Sequence, residues 1–216
     1  GLIDGDIVAY SCAWVCNSAP DKTAAFAAVR DMLLNFREAL ELDDADIYLT
    51  GPSNFRKNIS LTYKAQRADK PKPKYLSQTI DYLQDYWDAT WVDGLEADDV
   101  LGIQCNKDPD KIIISTDKDL DQIVGYHYNW KKYSIYYIDQ EQATRWLWSQ
   151  MLIGDTADNI KGVKGLGIKK TTKLLENIPV DKLPETVYDI YIKTGMTARD
   201  FEVNQQLLTI LKEEQE

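Results

Sequence analysis

The stretch KIIISTDKDLDQI, residues 111–123, runs a continuous apolar segment directly into Asp117, Asp119 and Asp121. One aspartate after a strand is ordinary turn or cap chemistry. A cluster of them is either a solvated turn or a site. Acids of the same kind stand in three other places: Asp4 in LIDGD, Glu96, Asp98 and Asp99 in GLEADDV, and Asp155 and Asp158 in GDTADN. Singly, each has a plain account. Acids in a first helical turn complement the helix dipole by about 0.3–1 kcal/mol, and Asp4 suits a turn. Jointly those accounts fail if the fold gathers the groups, because two carboxylates about 4 Å apart repel by roughly 4 kcal/mol at an effective dielectric near 20. Such a cleft needs protons or cations. Oxygen donors without histidine suit hard divalent ions, Mg²⁺ or Mn²⁺. Two such ions roughly 3.5–4 Å apart stabilise both the attacking and the leaving oxygen of a phosphodiester. On this reading Asp117 and Asp119 hold metal, and Asp121 is an ordinary exposed helix residue.

A second stretch with chemistry in it is GVKGLGIKKTTKLL, residues 162–175. Gly162, Gly165 and Gly167 make a tight turn whose amides can approach a phosphate without Cβ obstruction. Lys164 lies inside it, and Lys169 and Lys170 open the next helix against the dipole preference, which an anion docked nearby would explain. The alternative is a helix–turn–helix connection with incidental lysines. The spacing GxxxxGK[ST] is absent, so this is not a Walker-type phosphate loop.

The elements that must position these groups follow from periodicity. Leu2–Ile3 reads as the end of a strand running into a turn at Asp4-Gly5-Asp6. Residues 22–42 are helical in spacing, 46–50 a strand, 73–88 a helix, 90–92 a third strand and 96–106 a helix. Residues 111–115 form a strand buried on both faces, and 134–138 a fifth strand. Strands alternating with helices predict an α/β fold with a doubly wound, mostly parallel sheet, whose strand carboxyl ends collect functional groups. From residue 140 onward only helical patterns occur, over 140–153, 167–177, 184–194 and 197–214. The chain thus divides into an α/β core over 1–150 and a helical part over 151–216, with the linker-like KPKPK at 70–74.

Composition narrows the classes. The 216 residues are 44% hydrophobic and 28% charged, ordinary for a globular chain. No run approaches the roughly 20 apolar residues of a membrane span, and GLIDGDIVAY lacks a signal-peptide pattern. Cys12, Cys16 and Cys105 are no disulfide framework and fit a reducing compartment. The single histidine, His127, leaves zinc sites and histidine triads poorly supported and reads as a surface or semi-buried strand residue. The net charge of −10 argues against polyanions on average. The distribution argues otherwise. Arg56, Lys57, Lys64, Arg67, Lys70, Lys72 and Lys74 are opposed only by Asp69, and Lys161, Lys164, Lys169, Lys170 and Lys173 by no acid within 160–175.

LIDGD, YKAQR, GLEADDV, STDKDLD and GDTADNIKGVKGLGIKK, in that order, resemble the structure-specific 5′-nuclease (flap endonuclease) superfamily, nearest to bacteriophage 5′–3′ exonucleases and the 5′-nuclease domain of bacterial DNA polymerase I. The resemblance covers Asp4 to about Leu175. It implies a PIN-like nuclease core, a short arch over about 56–75, and a helix–three-turn–helix motif on duplex DNA. It places Asp4, Glu96 and Asp98 at a first metal ion, and Asp98, Asp117, Asp119, Asp155 and Asp158 at a second, with Asp99 in support. Lys64 and Arg67 would contact the scissile phosphate, Tyr63 would stack on a base, and Arg56 and Lys57 would join the DNA surface. The 162–170 hairpin would grip the duplex backbone and hold a potassium ion. The implied partner is DNA with 5′ ends, flaps, nicks or gaps, acted on in the cytoplasm (of a host cell, for a viral protein) by a monomer. Two departures stand out. Thr50-Gly51 occupies the end of the second strand, where the family usually has an aspartate, and the stretch between YKAQR and GLEADDV is short. A PIN-like ribonuclease and a branched-DNA-binding protein with an impaired site are the alternative functions.

Overall fold

The computed structural model describes residues 1–214. The last two residues of the expected C-terminal part, 215 and 216, lie outside the described residues. Two compact units result: 1–54 and 71–137 with the chain end from Leu211, and 55–70 with 138–210. The units meet along the chain near residue 138, and most of the basic 56–75 stretch belongs to the second unit.

In the first unit a five-stranded sheet has the order β2-β1-β3-β4-β5, from β1 (Leu2–Asp4), β2 (Asp46–Tyr48), β3 (Ile112–Ile114), β4 (Gly125–Asn129) and β5 (Ser134–Ile138). β1 pairs in parallel with β2 and with β3, and β3 in parallel with β4. The α/β class and mostly parallel sheet are as the alternation of patterns predicts. Its helices are α1 (Gly5–Val15), α2 (Thr23–Ala39), α4 (Leu76–Trp87) and α5 (Ala97–Lys107), and α3 (Arg56–Ile59) belongs to the second unit. Ile3, Ile47 and Ile114 bury one face with Val8, Cys12, Val29, Leu33, Phe36 and Leu83. Leu2 and Ile113, wholly buried, point the other way by strand alternation, toward the face where α5 packs on β1, β2 and β3.

Several expectations need correction. The turn at Asp4-Gly5-Asp6 is instead the start of α1, with Asp4 as its N-cap accepting from the Ile7 amide. Gly5 is required there, since a Cβ would lie 2.7 Å from the Tyr48 carbonyl oxygen. Residues 90–92 are no strand; Thr90 makes a single parallel bridge with Tyr48. His127 lies on a strand as read, β4, whose bounds the sequence pattern does not mark, but it is buried (3% exposed) rather than at the surface, with Nε2 at 2.9 Å from the Ile123 carbonyl. Burial lowers the pKa of that imidazole. Asp121 is half-buried rather than exposed, accepts from the Tyr136 hydroxyl at 2.9 Å, and has a pKa raised by burial.

The second unit holds α3, α6 (Gln140–Ile153), α7 (Ile168–Leu175), α8 (Leu183–Lys193) and α9 (Ala198–Leu208) around a core of Tyr63, Trp148, Met151, Leu152, Val163, Leu183, Val187, Tyr191 and Leu207. It is not purely helical: β6 (Gly154–Asp155) and β7 (Ile160–Lys161) pair antiparallel and frame the GDTADN loop. No helix of the described residues is long and apolar enough to cross a membrane.

Candidate active site

In the first unit the acids sit where strands hand over to helices. Asp4 ends β1 and is 2% exposed. Its carboxylate accepts from the Ile7 amide at 3.1 Å and from the Ser115 hydroxyl at 2.7 Å. Ser115, one residue past β3, accepts in turn from the Asp117 amide at 3.0 Å, and Asp117 accepts from the Asp119 amide at 2.9 Å. One hydroxyl thus ties the end of β1 to the acidic turn after β3. A second tie joins the other strand ends. Asp6, one residue into α1, takes the Thr50 amide on both carboxylate oxygens at 3.2 Å, and the Thr50 hydroxyl accepts from the Ala97 amide at 3.0 Å. Ala97 lies between Glu96 and Asp98, so α5 is registered against the end of β2 by that bond.

Asp6, Thr50 and Ser115, which tie the acid-bearing elements together, are not singled out as site residues by the sequence. Thr50 and Ser115 carry no charge and give no signal. Asp6 is visible in LIDGD but is absorbed into the expected turn. It matters because the end of β2 has no carboxylate of its own. A Cβ at Gly51 would press to 3.2 Å from Trp91, whereas Asp6 brings a negative group to the neighbouring amide.

The electrostatics follow from this packing. Burial, then the charge of Asp6, raise the Asp4 pKa to about 7 against the hydrogen bonds from Ser115 and Ile7, with Asp117 adding to the rise. A carboxylate held so is costly to ionise alone, and a divalent cation removes that cost. The donor set is all oxygen, which suits a hard ion such as Mg²⁺ or Mn²⁺. Among the described residues no three carboxylate, imidazole or thiol groups are already arranged to hold a metal. Asp4 and Asp117 are engaged with amides and a hydroxyl. Glu96 is the N-cap of α5 and buried, and Asp98 is half-buried in its first turn. Asp99 is wholly buried, with one oxygen on the Glu96 amide at 3.2 Å and the other on the Leu211 amide at 3.0 Å. Those two bonds let Asp99 fix the start of α5.

The second unit carries Asp155 and Asp158. Asp155 accepts from the Ala157 amide at 2.7 Å and the Asp158 amide at 3.3 Å, closing the loop between β6 and β7. Asp158 gathers the residues of YKAQR: the Tyr63 hydroxyl at 3.2 Å, the Lys64 ammonium at 3.6 Å and the Arg67 guanidinium in a close ion pair. Tyr63 is 5% exposed and part of the unit's core, which corrects its expected role: a buried ring cannot stack on a base. Arg56 is likewise corrected. It is 2% exposed and donates to the carbonyls of Leu207 at 2.9 Å and Thr209 at 2.7 Å, satisfying the orphan end of α9. Lys57 is exposed.

The glycine loop sorts its three members differently. Gly162 lacks a side chain because its Cβ would collide with the Ile153–Gly154 backbone, at 2.2–2.4 Å, so its cause is internal packing. Gly165, at φ +84°, and Gly167, the N-cap of α7, have open space about the Cβ position. Lys164, Lys169 and Lys170 are exposed, and Lys170 donates to the Gly165 carbonyl at 3.0 Å.

Residues 1–148 match the family described as "5′-3′ exonuclease, N-terminal resolvase-like domain". Thermostable DNA polymerase I of Thermus caldophilus is 34% identical over 57% of this chain and 16% of its own length. Flap endonuclease Xni of Shewanella baltica is 30% identical over 57% of this chain and 53% of its own. The chain therefore spans only about half the length of one relative and far less of the other. Among solved structures, T5 5′-exonuclease with bound zinc aligns with a TM-score of 0.71 at 18% identity, over 96% of this chain and 88% of that one. The catalytic core of Rad2 in complex with DNA substrate aligns at 0.55 and 12% identity, over 97% and 71%. These likenesses are of fold.

Proposed function

Because the chain belongs to the 5′-3′ exonuclease family with the N-terminal resolvase-like domain, we propose that it is a divalent-metal-dependent DNA nuclease hydrolysing phosphodiesters near 5′ ends, as a 5′–3′ exonuclease and flap endonuclease. The observation that carries the reading is the buried Asp4 carboxylate, tied through Ser115 to Asp117 and pressed by Asp6. Asp4, Glu96, Asp98, Asp117 and Asp119 of the first unit, and Asp155 and Asp158 of the second, would each offer oxygen ligands to divalent ions, Mg²⁺ or Mn²⁺, with Asp6 joining the end of β2. Bound there, such ions would supply Lewis-acid polarisation of the phosphate and a more acidic water. Lys64 and Arg67 offset charge on the phosphoryl oxygens. The open amides and lysines of 164–170 hold duplex phosphates without reading sequence, as a helix–three-turn–helix would. In this reading a potassium ion on that loop competes with Lys170 for the Gly165 carbonyl.

The direct test uses 5′-labelled flap, nicked and blunt duplexes with Mg²⁺. Cleavage near the 5′ end that EDTA abolishes is expected. Cleavage confined to RNA, or none with either Mg²⁺ or Mn²⁺, removes the reading. The basic residues separate in a salt titration of duplex binding. Lys169→Ala with Lys170→Ala lowers the slope of log K against log salt by up to about two. Arg56→Ala leaves that slope alone and instead costs roughly 3 kcal/mol in denaturant unfolding, since two carbonyls lose a buried charged donor. A slope that responds to Arg56 rather than to the lysines would reverse these assignments.

A further inference from the structure

The loop 154–159 and the segment 62–67 are bound to each other twice over. One set of bonds uses the backbone. The Lys64 amide donates to the Asp158 carbonyl at 3.0 Å, Asn159 Nδ2 to the Thr62 carbonyl at 3.0 Å, and Arg67 Nε to the Ala157 carbonyl at 3.3 Å; Gln66 donates to the Thr156 carbonyl. Lys64 and Asn159 both adopt positive φ, +56° and +61°, to make this junction. The other set is ionic. Arg67 holds one Asp158 oxygen, and Lys64 and the Tyr63 hydroxyl hold the other. The Asp158 side chain is 13% exposed, so this ion cluster is only partly screened by solvent.

On the nuclease reading above, each half of the cluster has a second employment. A divalent ion at Asp158 must approach against two cations already there, and a phosphate that needs Lys64 and Arg67 must take them from a carboxylate. Either ligand arriving alone leaves unlike charges separated and like charges together. Both arriving together exchange partners one for one: phosphate replaces Asp158 on the cations, and metal replaces the cations on Asp158. The Lys64 amide, Asn159 and Gln66 bonds do not involve the charged groups and are kept, while Arg67 gives up its bond to the Ala157 carbonyl as its guanidinium turns.

We propose that Asp158 positions Lys64 and Arg67 in the DNA-free chain and releases them to a phosphodiester strand in exchange for the metal ion, so that metal and phosphate bind this unit cooperatively. The proposal rests on the nuclease reading and adds to it an order of events. A chain without DNA takes the metal at Asp158 weakly.

The test is a Mn²⁺ titration of the full chain, following free Mn²⁺ by electron paramagnetic resonance. Without DNA, Arg67→Gln, half-exposed at 50%, and the double variant with Lys64→Gln tighten Mn²⁺ binding at least about fivefold. Lys70→Gln, an exposed charge in the same segment, does not. Adding Asp158→Asn to the double variant abolishes the gain. A phosphorothioate duplex with a 5′ overhang tightens Mn²⁺ on the wild type by a similar factor and not on the double variant. Unchanged or weaker Mn²⁺ affinity in the Lys64 and Arg67 variants overturns the proposal, as does an equal gain with Lys70→Gln. A wild type that takes up no Mn²⁺, with or without duplex, overturns the nuclease reading as well, and is recognisable as a different result.

Discussion

Asp119→Ala is expected to reduce Mg²⁺-dependent cleavage of a 5′-flap duplex by about a thousandfold or more, the scale on which a group that stabilises transition-state charge is felt. Asp119 begins the 3₁₀ turn that follows the acidic stretch after β3, and its amide is already engaged with the Asp117 carboxylate. Truncation removes the Asp119 side chain and leaves that amide in place, so its bond to the Asp117 carboxylate is kept. The effect should fall on turnover and not on duplex affinity, because the phosphate contacts assigned to Lys164, Lys169 and Lys170 lie in the other unit. Loss of a uniform binding contact would raise KM alone, whereas loss of transition-state stabilisation lowers kcat and kcat/KM together. Near-wild-type kcat for Asp119→Ala with Mg²⁺ would remove the acidic turn from the chemistry and leave it as a solvated turn.

Much of the fold is legible in the sequence, and what is hidden there is hidden for physical reasons. The apolar run 111–115, α6 at 140–153 and β5 at 134–138 are placed closely because each has a strong period or a sharp boundary. α1 escapes notice because GDIVAYSCAWV is apolar on most sides, buried at Gly5, Val8, Ala9, Cys12 and Ala13, and so shows little amphipathic contrast. DGD has the composition of a turn, and only the close approach of Gly5 to Tyr48 shows why glycine stands there. TWV at 90–92 has strand propensity, yet only Thr90 forms a bridge, with Tyr48.

The site follows the same logic. Carboxylates announce themselves by type and spacing; the hydroxyls that register them, Thr50 and Ser115, do not. Basic residues are the converse case. Arg56 and Arg67 are the same residue type in one basic stretch, but Arg56 is buried on the end of α9 and Arg67 is half-exposed on Asp158. Charge patterning finds the stretch and cannot tell a structural arginine from a substrate-facing one, because burial is a property of the tertiary fold. Tyr63 shows it again, an aromatic between polar neighbours whose ring is core and whose hydroxyl serves the loop aspartate.

Asp4→Asn should abolish cleavage and, with EDTA present, make the protein more stable than the wild type at pH 8. The sign follows from the Asp4 pKa, raised from 3.8 to about 7 chiefly by burial and then by Asp6. Between those values the unfolded chain has released its proton and the folded chain has kept it. Stability contributed by this group is therefore greatest below pH 4, falls as pH rises, and levels off above about pH 7. Across that interval the loss is on the order of a few kcal/mol, at about 1.36 kcal/mol for each pH unit. Asparagine has no proton to lose, and its side-chain oxygen can still cap α1 at the Ile7 amide. The unfolding free energies of variant and wild type should thus diverge in the variant's favour from pH 4 to pH 7, measured by urea titration in EDTA. Mg²⁺ should then stabilise the wild type more than the variant, since a ligand that binds only the folded state adds RT ln(1 + [L]/Kd) and Asp4 is one of its donors. A variant less stable than wild type at pH 8 in EDTA would show that the buried charge is already compensated inside the protein, and the case for a cation at the end of β1 would lose its physical basis.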